Sequence, residues 1–319
     1  MSTRLAVVGA GVMGANHIRV AKSQAIVELV AIVDGDTERA QAARGDDTHI
    51  ECFTNVDDLI AANLAEAVIV ATPTPFHHEV VSKCLSAGLH TLVEKPIAAT
   101  VEEADDLIAR AEEAGVVLMV GHVERFNPVI MELRNHLGTP VHIEADRVGP
   151  FSDRVKDSVV LDLMIHDLDI VRMLADSEVV DITAVGRSTR TPDPDLVSAH
   201  LLFANGVTAT ITASRIGQQK IRQVLVTSED KYITADLLRQ DIAINKVAHV
   251  EYIADGGARY RQTGVVEVPF IENRGEPLAL ELREFISAIA ENRAPVVDGA
   301  AGRTALELVD RVHQAVRGA

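Results

Sequence analysis

The first third of the chain alternates two hydrophobic periods. Short apolar runs, RLAVVGAG, VELVAIVD, AEAVIVATP, HTLVEK and VVLMVGH, are dense in β-branched residues and predict buried strands. Between them, VMGANHIRVAKSQ, DTERAQAAR, PFHHEVVSKCLSAG and TVEEADDLIARAEEAG predict helices, the last of them clearly amphipathic. Asp36 or Thr37 offers an N-cap, and Gly88 and Gly115 close two of the helices. Strands alternating with helices of this length predict βαβ units and a parallel sheet. After about residue 122 the pattern changes. SVVLDLMIHDLDIVRML predicts one long, mostly buried helix. VVDITAVGRS, LVSAHLLFA, VTATITASR, RQVLVTSE, KYITADLL and GVVEVPF then follow one another as strands, with Ala204-Asn205-Gly206 as a hairpin turn. Two helical segments, PLALELREFISAIAEN and GAAGRTALELVDRVHQAVRGA, complete the pattern. The expectation is an α/β protein: a doubly wound parallel-sheet domain over 1–121, then an α+β domain over 122–319 with a large, mostly antiparallel open sheet. The last helices are free to pack back on the first domain.

Composition narrows the class. The 319 residues suit two domains, and 47% hydrophobic with 24% charged residues is ordinary for a globular chain. A formal net charge of −17 argues against general nucleic-acid or anionic-membrane binding, while leaving room for a local basic pocket. No run approaches the roughly 20 apolar residues of a membrane span. The segment MSTRLAVVGAGVMGANH is broken by glycines and followed by polar residues, so it does not read as a signal peptide. Cys52 and Cys84 have no metal-ligand spacing and cannot build a disulfide framework; two reduced thiols in a cytoplasmic protein are expected.

Three constellations carry chemistry. Gly9-Ala10-Gly11-Val12-Met13-Gly14 fits GxGxxG between a strand and a helix, the fingerprint of a Rossmann dinucleotide site. Asp34 ends the second strand, where a carboxylate hydrogen-bonds an adenosine ribose and repels a 2′-phosphate, so NAD is expected over NADP, with Arg39 nearby. Ligands of such sheets lie beyond the carboxyl ends of the strands, where Thr72-Pro73, His77 and Glu94-Lys95-Pro96 fall. On spacing alone Lys95 is equally a solvated strand-end lysine or one paired with Glu94. Third, Asp162 and His166 are four apart on the long helix, with Asp169 three further on, along one polar stripe. A carboxylate and an imidazole on an otherwise apolar helix suit proton transfer to a bound hydroxyl, or form a helix pair at a polar interface. No metal is expected, since no third ligand stands at a standard spacing.

The order GxGxxG, then VATPTPFHHEVVSKCLSAGLHTLVEKPIA, then the Asp162–His166 helix before a β-rich half resembles the glucose–fructose oxidoreductase / inositol dehydrogenase (Gfo/Idh/MocA) family. The resemblance implies that Lys95 meets the reacting carbinol, that His166 is the general acid or base, and that Asp162 orients it or binds a neighbouring hydroxyl. It assigns Gly9, Gly11, Val12, Met13, Gly14, Asp34, Thr72, Pro73, His77, Glu94 and Lys95 to the cofactor NAD. GHVERFNP, VLDLMIHDLDI and KIRQVLVTSEDKYITADLL resemble the nucleotide-sugar members, the UDP-N-acetylglucosamine 3-dehydrogenase type. Arg125 and Asn127 are then expected at the substrate. Many members have glycines just before the helix, where this chain has Asp157-Ser158-Val159. Two basic clusters, Arg147, Arg154 and Lys156, and Arg215, Lys220 and Arg222, suit a diphosphate or are solvated loop charges; Arg154, Lys156, Lys220 and Arg222 are the candidate substrate contacts. The expected function is NAD-dependent oxidation of a ring hydroxyl of a sugar or nucleotide sugar by a homodimer or homotetramer. The alternatives are an inositol or free-sugar dehydrogenase, or a non-catalytic NAD-binding redox sensor.

Overall fold

The computed structural model describes residues 2–152, 157–253, 259–271 and 274–318. The chain forms two compact units, Met1–Phe126 with Gly275–Glu307, and Asn127–Arg274 with Leu308–Ala319.

The first unit holds a six-stranded sheet. Its strands are β1 (Thr3–Val8), β2 (Val27–Val33), β3 (Glu51–Phe53), β4 (Ala67–Val70), β5 (His90–Glu94) and β6 (Leu118–Gly121). They lie in the order β3-β2-β1-β4-β5-β6, and every pair is parallel. Each crossover carries a helix: α1 (Val12–Ser23), α2 (Thr37–Arg44), α3 (Val56–Ala62), α4 (His77–Ser86) and α5 (Val101–Ala114). Helices on both faces explain why the central strands are continuous apolar runs rather than alternating ones. Ala67, Val68, Ile69 and Val70 are all fully buried. The strand order reverses between β1 and β4, which opens a crevice at their carboxyl ends. This unit extends past residue 121 to Phe126 and takes in α8 (Pro277–Glu291) and the first half of α9 (Gly299–Arg317). Helix α8 packs on α1 and on the 3-10 turn Val123–Phe126.

The second unit is an eight-stranded sheet built from β7 (Pro140–Val148), β8 (Val179–Arg187), β9 (Leu196–Phe203), β10 (Thr208–Ser214), β11 (Ile221–Ser228), β12 (Lys231–Asp236), β13 (Asp241–Ile253) and β14 (Arg259–Glu267). Their order is β14-β13-β12-β11-β7-β10-β9-β8, antiparallel except for the β7–β10 pair. Helix α7 (Ile165–Ala175) packs on β7 and β10, while α6 (Pro128–His136) packs on β12 and β13. Alternation follows from one covered face: Ile143, Ala145, Val224 and Val226 are fully buried, whereas His142 and Glu144 are only half-buried. At the β9–β10 hairpin Gly206 takes φ 86°, a left-handed value that glycine adopts without strain.

The predicted long helix starts differently from a regular one. Val160–Met164 is a π turn, and only then does α7 begin. Ser158 anchors this start: its Oγ accepts from Leu161 N at 3.2 Å and its carbonyl accepts from Asp162 N at 2.9 Å. Among the described residues no helix is long and apolar enough to cross a membrane.

Candidate functional site

A cavity of about 730 Å³ lies in the first unit, lined by Gly9, Gly11, Val12, Met13, Asp34, Thr72, Pro73, Glu94 and Lys95 together with neighbouring residues. Each glycine of the motif has a distinct task. Gly9 takes φ 95°, and a Cβ there would lie 2.6 Å from the Ala71 carbonyl oxygen. Gly14 does not line the cavity; a Cβ would fall 1.8 Å from the Gly9 oxygen, so its bareness lets α1 seat against the loop. Gly11 has open space where a Cβ would stand, and it begins α1 without a side-chain cap. Uncapped first-turn amides and the positive end of the helix dipole suit a phosphate.

Asp34 stands on the same cavity with its carboxylate already oriented. Oδ2 accepts from Ala10 N at 2.8 Å, and Oδ1 accepts from Asp36 N at 2.9 Å and from Arg39 Nη1 at 3.3 Å. Arg39 also pairs with Asp36 at 3.2 Å, so two carboxylates offset its charge. A loop kept bare at Gly9 and Gly11, followed by an open helix N-terminus and a fixed carboxylate at the end of β2, fits a dinucleotide.

At the end of β5, Glu94 and Lys95 line the cavity. Glu94 is buried; its Oε1 accepts from His17 Nε2 at 2.8 Å and its Oε2 from Lys95 N at 3.2 Å. His77, the other residue expected at the cofactor, is placed differently. It is 1% exposed and not on the cavity wall, and its two ring nitrogens lie 2.8 Å from the carbonyl oxygens of Pro96 and Thr72. It braces the two loops that carry cavity residues. Other wall residues escaped the motif search: Thr54, Asn55, Phe76 and the ion network of Lys83 with Asp57 (2.9 Å) and Glu79 (3.1 Å). The signal for Asn55 was present, since it N-caps α3, but a cap does not announce a cavity.

The second unit has its own cavity of about 280 Å³, lined by Arg147, Phe151, Asp162, Arg215, Lys220 and Arg222 among others. The cations divide into two kinds. Arg147 is buried and forks onto Asp167, with Nε–Oδ2 2.8 Å and Nη2–Oδ1 2.9 Å. Arg215 is buried too; Nε donates to Asp195 at 2.8 Å and Nη1 to the Asp157 carbonyl at 2.6 Å. Lys220 is exposed and Arg222 half-buried on the same wall. Burial alone would push the Asp195 carboxyl up. The amides of Arg190 and Thr189, the Arg215 guanidinium and the Thr191 hydroxyl more than offset this and hold it well below the carboxylate range. The two basic clusters are thus partly structural. Arg154 and Lys156 lie outside the described residues.

Asp162 is half-buried in the π turn and reaches this cavity; His166 is half-buried on α7 and is not among its lining residues. Asp169, the third member of the expected polar stripe, is 2% exposed. Arg125 and Asn127, expected at a substrate, have backbone tasks. Arg125 is buried and donates to the Val296 carbonyl at 3.3 Å. Asn127 caps α6 through Val129 N at 3.2 Å and donates to the Leu237 carbonyl at 3.1 Å. Among the described residues no cluster could hold a metal ion.

A doubly wound sheet with a glycine cradle, joined in one chain to an open-sheet unit with a cation-lined cavity, defines a dinucleotide-dependent oxidoreductase. Residues 3–122 match the oxidoreductase family with an NAD-binding Rossmann fold, and residues 133–233 match the Gfo/Idh/MocA C-terminal domain. The chain belongs to the Gfo/Idh/MocA family, whose NAD-dependent oxidoreductases act on CH–OH groups of sugars. It is 36% identical to UDP-N-acetylglucosamine 3-dehydrogenase of Acidithiobacillus ferrooxidans over 98% of this chain and 97% of that protein. A solved structure of that enzyme covers 100% of this chain and 98% of its own, with a TM-score of 0.90 and 34% identity. It is also 26% identical to scyllo-inositol 2-dehydrogenase (NAD(+)) of Bacillus subtilis over 92% of this chain and 88% of that protein. NAD is the cofactor.

Proposed function

We propose that this chain oxidises a ring hydroxyl of a nucleotide sugar, UDP-N-acetylglucosamine at its 3-position. The observation that carries this reading is the cavity of the second unit, where Lys220 and Arg222 stand on one wall with Asp162 in a protein of net charge −17. A diphosphate needs cations and a sugar ring needs hydroxyl partners; a cyclitol needs only the latter. The full-length likeness to a UDP-N-acetylglucosamine 3-dehydrogenase supports the same choice.

NAD supplies the hydride acceptor when bound. Gly9 and Gly11 give its pyrophosphate bare backbone, Val12 and Met13 the first turn of an open helix end, and Gly14 lets that helix seat against the loop, with Thr72 and Pro73 along the same wall. Asp34 takes the adenosine ribose hydroxyls. Lys95 donates to the carbinol oxygen and steadies the alkoxide character that grows there as hydride departs. His166 takes the hydroxyl proton, and Asp162 orients the sugar through a neighbouring hydroxyl or orients His166. Lys220 and Arg222 hold the diphosphate. The enzyme works as a homo-oligomer, which sedimentation would read directly.

The test is NADH formation with UDP-N-acetylglucosamine, free N-acetylglucosamine and inositols, with mass analysis for a product lighter by two hydrogens. The expected result is turnover of the nucleotide sugar, with a Michaelis constant that Lys220→Ala and Arg222→Ala raise and that salt raises further. Turnover of inositols in preference, or equal small effects on charged and uncharged substrates, would move the assignment to a cyclitol or free-sugar dehydrogenase.

A further inference from the structure

Glu281, on α8, is fully buried, and neither of its carboxyl oxygens meets a hydrogen-bond partner; it is the one such carboxyl among the described residues. Burying an acid in this way costs stability and gains no contact. Burial first, and the charge of Glu94 second, hold the Glu281 carboxyl well above the usual carboxylate range. The elements packed against α8 are α1 and the turn Val123–Phe126, and the ionisable groups they bury are His17, Glu124 and Arg125, with His122 beside the turn. Within this group the proton has a clear address. Glu94 receives hydrogen bonds from His17 and from Lys95 N. Glu281 receives none, so its burial favours the protonated acid.

Glu94 also lines the dinucleotide cavity. The strand order β2-β1-β4-β5 puts Asp34, the glycine loop, Thr72-Pro73 and Glu94-Lys95 in succession along one edge. A dinucleotide with its ribose at Asp34 and its pyrophosphate at the glycine loop therefore extends toward β5 with its nicotinamide. We propose that Glu281 is a positioning residue for charge: its buried, unpartnered carboxyl limits the negative charge behind Glu94 at the nicotinamide end of the cavity, and so sets the relative affinity for the oxidised, cationic ring and the reduced, neutral one. The inference rests on the dinucleotide placement proposed above.

The experiment measures equilibrium affinities for NAD⁺ and NADH separately, from about pH 5.5 to about pH 9.5. It uses the intact chain, Glu281→Gln and, as a second neutral variant, Glu281→Leu. The chain has no tryptophan, so NADH fluorescence is read on a low background, and NAD⁺ is followed by its displacement of NADH. Ionisation of Glu281 adds a second negative charge, so the intact chain gains preference for NAD⁺ with rising pH, on the order of tenfold. Both variants lose that step. A flat ratio in the intact chain, or the same step in both variants, overturns the proposal. A purely packing role would change thermal stability and leave the pH profile of the ratio alone. Failure of the dinucleotide placement would show elsewhere, as Asp34→Ala leaving both affinities unchanged.

Discussion

The pair Arg147–Asp167 ties β7 to α7 where neither side chain meets water; the two are 3% and 2% exposed. Asp167→Asn keeps the shape of the acid and removes its charge, leaving a guanidinium buried against an amide. Two charge-assisted hydrogen bonds at 2.8 and 2.9 Å are weakened at once, each worth about 1.5–3 kcal/mol. Breaking one side of a buried pair costs about 3–5 kcal/mol. For a unit of this size about 2–4 °C follows each kcal/mol, so the transition should fall by roughly 6–20 °C. The double variant Arg147→Met/Asp167→Leu removes both charges and keeps apolar volume, and is expected within about 2 kcal/mol of the parent. Calorimetry and urea unfolding followed by circular dichroism measure both. A single variant within about 1 kcal/mol of the parent, or a double variant as unstable as the single, would refute the reasoning. The same double variant separates structure from binding. Arg147 read as a diphosphate ligand predicts a raised Michaelis constant for UDP-N-acetylglucosamine even where stability has recovered; the fork onto Asp167 predicts almost no change.

Gly9→Ala combines a left-handed φ with a Cβ 2.6 Å from the Ala71 carbonyl, so it should lose about 1–3 kcal/mol of stability and weaken NADH binding, read by fluorescence titration. Glu281→Gln should stabilise the chain increasingly as pH rises: the folded acid keeps its proton above the unfolded pKa, and each unit of that elevation costs about 1.4 kcal/mol at higher pH, which the amide avoids. Thermal scans across pH check this, and a gain that does not grow with pH would contradict it. Asp195 is held low in the folded state, so its contribution is present above the unfolded carboxylate pKa and is lost only as pH falls below it; Asp195→Asn should therefore be most costly near neutrality and converge on the parent in acid.

The sheet architecture was legible because it is local in period. Continuous β-branched runs flanked by amphipathic helices dictate a sheet covered on both faces, and alternating runs joined by turns dictate one covered on a single face. What the pattern could not carry is membership. Helix α8 has an apolar face suited to any partner, and only the fold shows that it belongs with the first unit, against α1. Nor could periodicity show the π turn at Val160–Met164, since a turn widened by one residue leaves the apolar spacing almost intact.

The site divides along the same line. Gly9, Gly11, Asp34, Glu94 and Lys95 were readable because strand ends of a doubly wound sheet converge by topology, so position in the chain becomes position on the cavity wall. Charged residues followed no such rule. Arg147 and Lys220 look alike in sequence, each a cation near a strand end, yet on one cavity wall the first is buried and locked onto Asp167 while the second is exposed. Asp167 is twenty positions from Arg147, and Asp195 twenty from Arg215, too far for any helical or strand period to couple them. Desolvation decides between the two kinds: a cation on a covered sheet face must find an anion, whereas the exposed Lys220 keeps its hydration. A cation's role is therefore set by which face of the sheet it occupies. On β7 the parity of the strand gives that face: Arg147 shares the buried parity of Ile143 and Ala145, while Lys220 precedes β11 and is exposed. Lys220, exposed on the cavity wall, is thus the cation whose environment a bound diphosphate would change most, and the one whose replacement should separate charged from uncharged substrates most sharply.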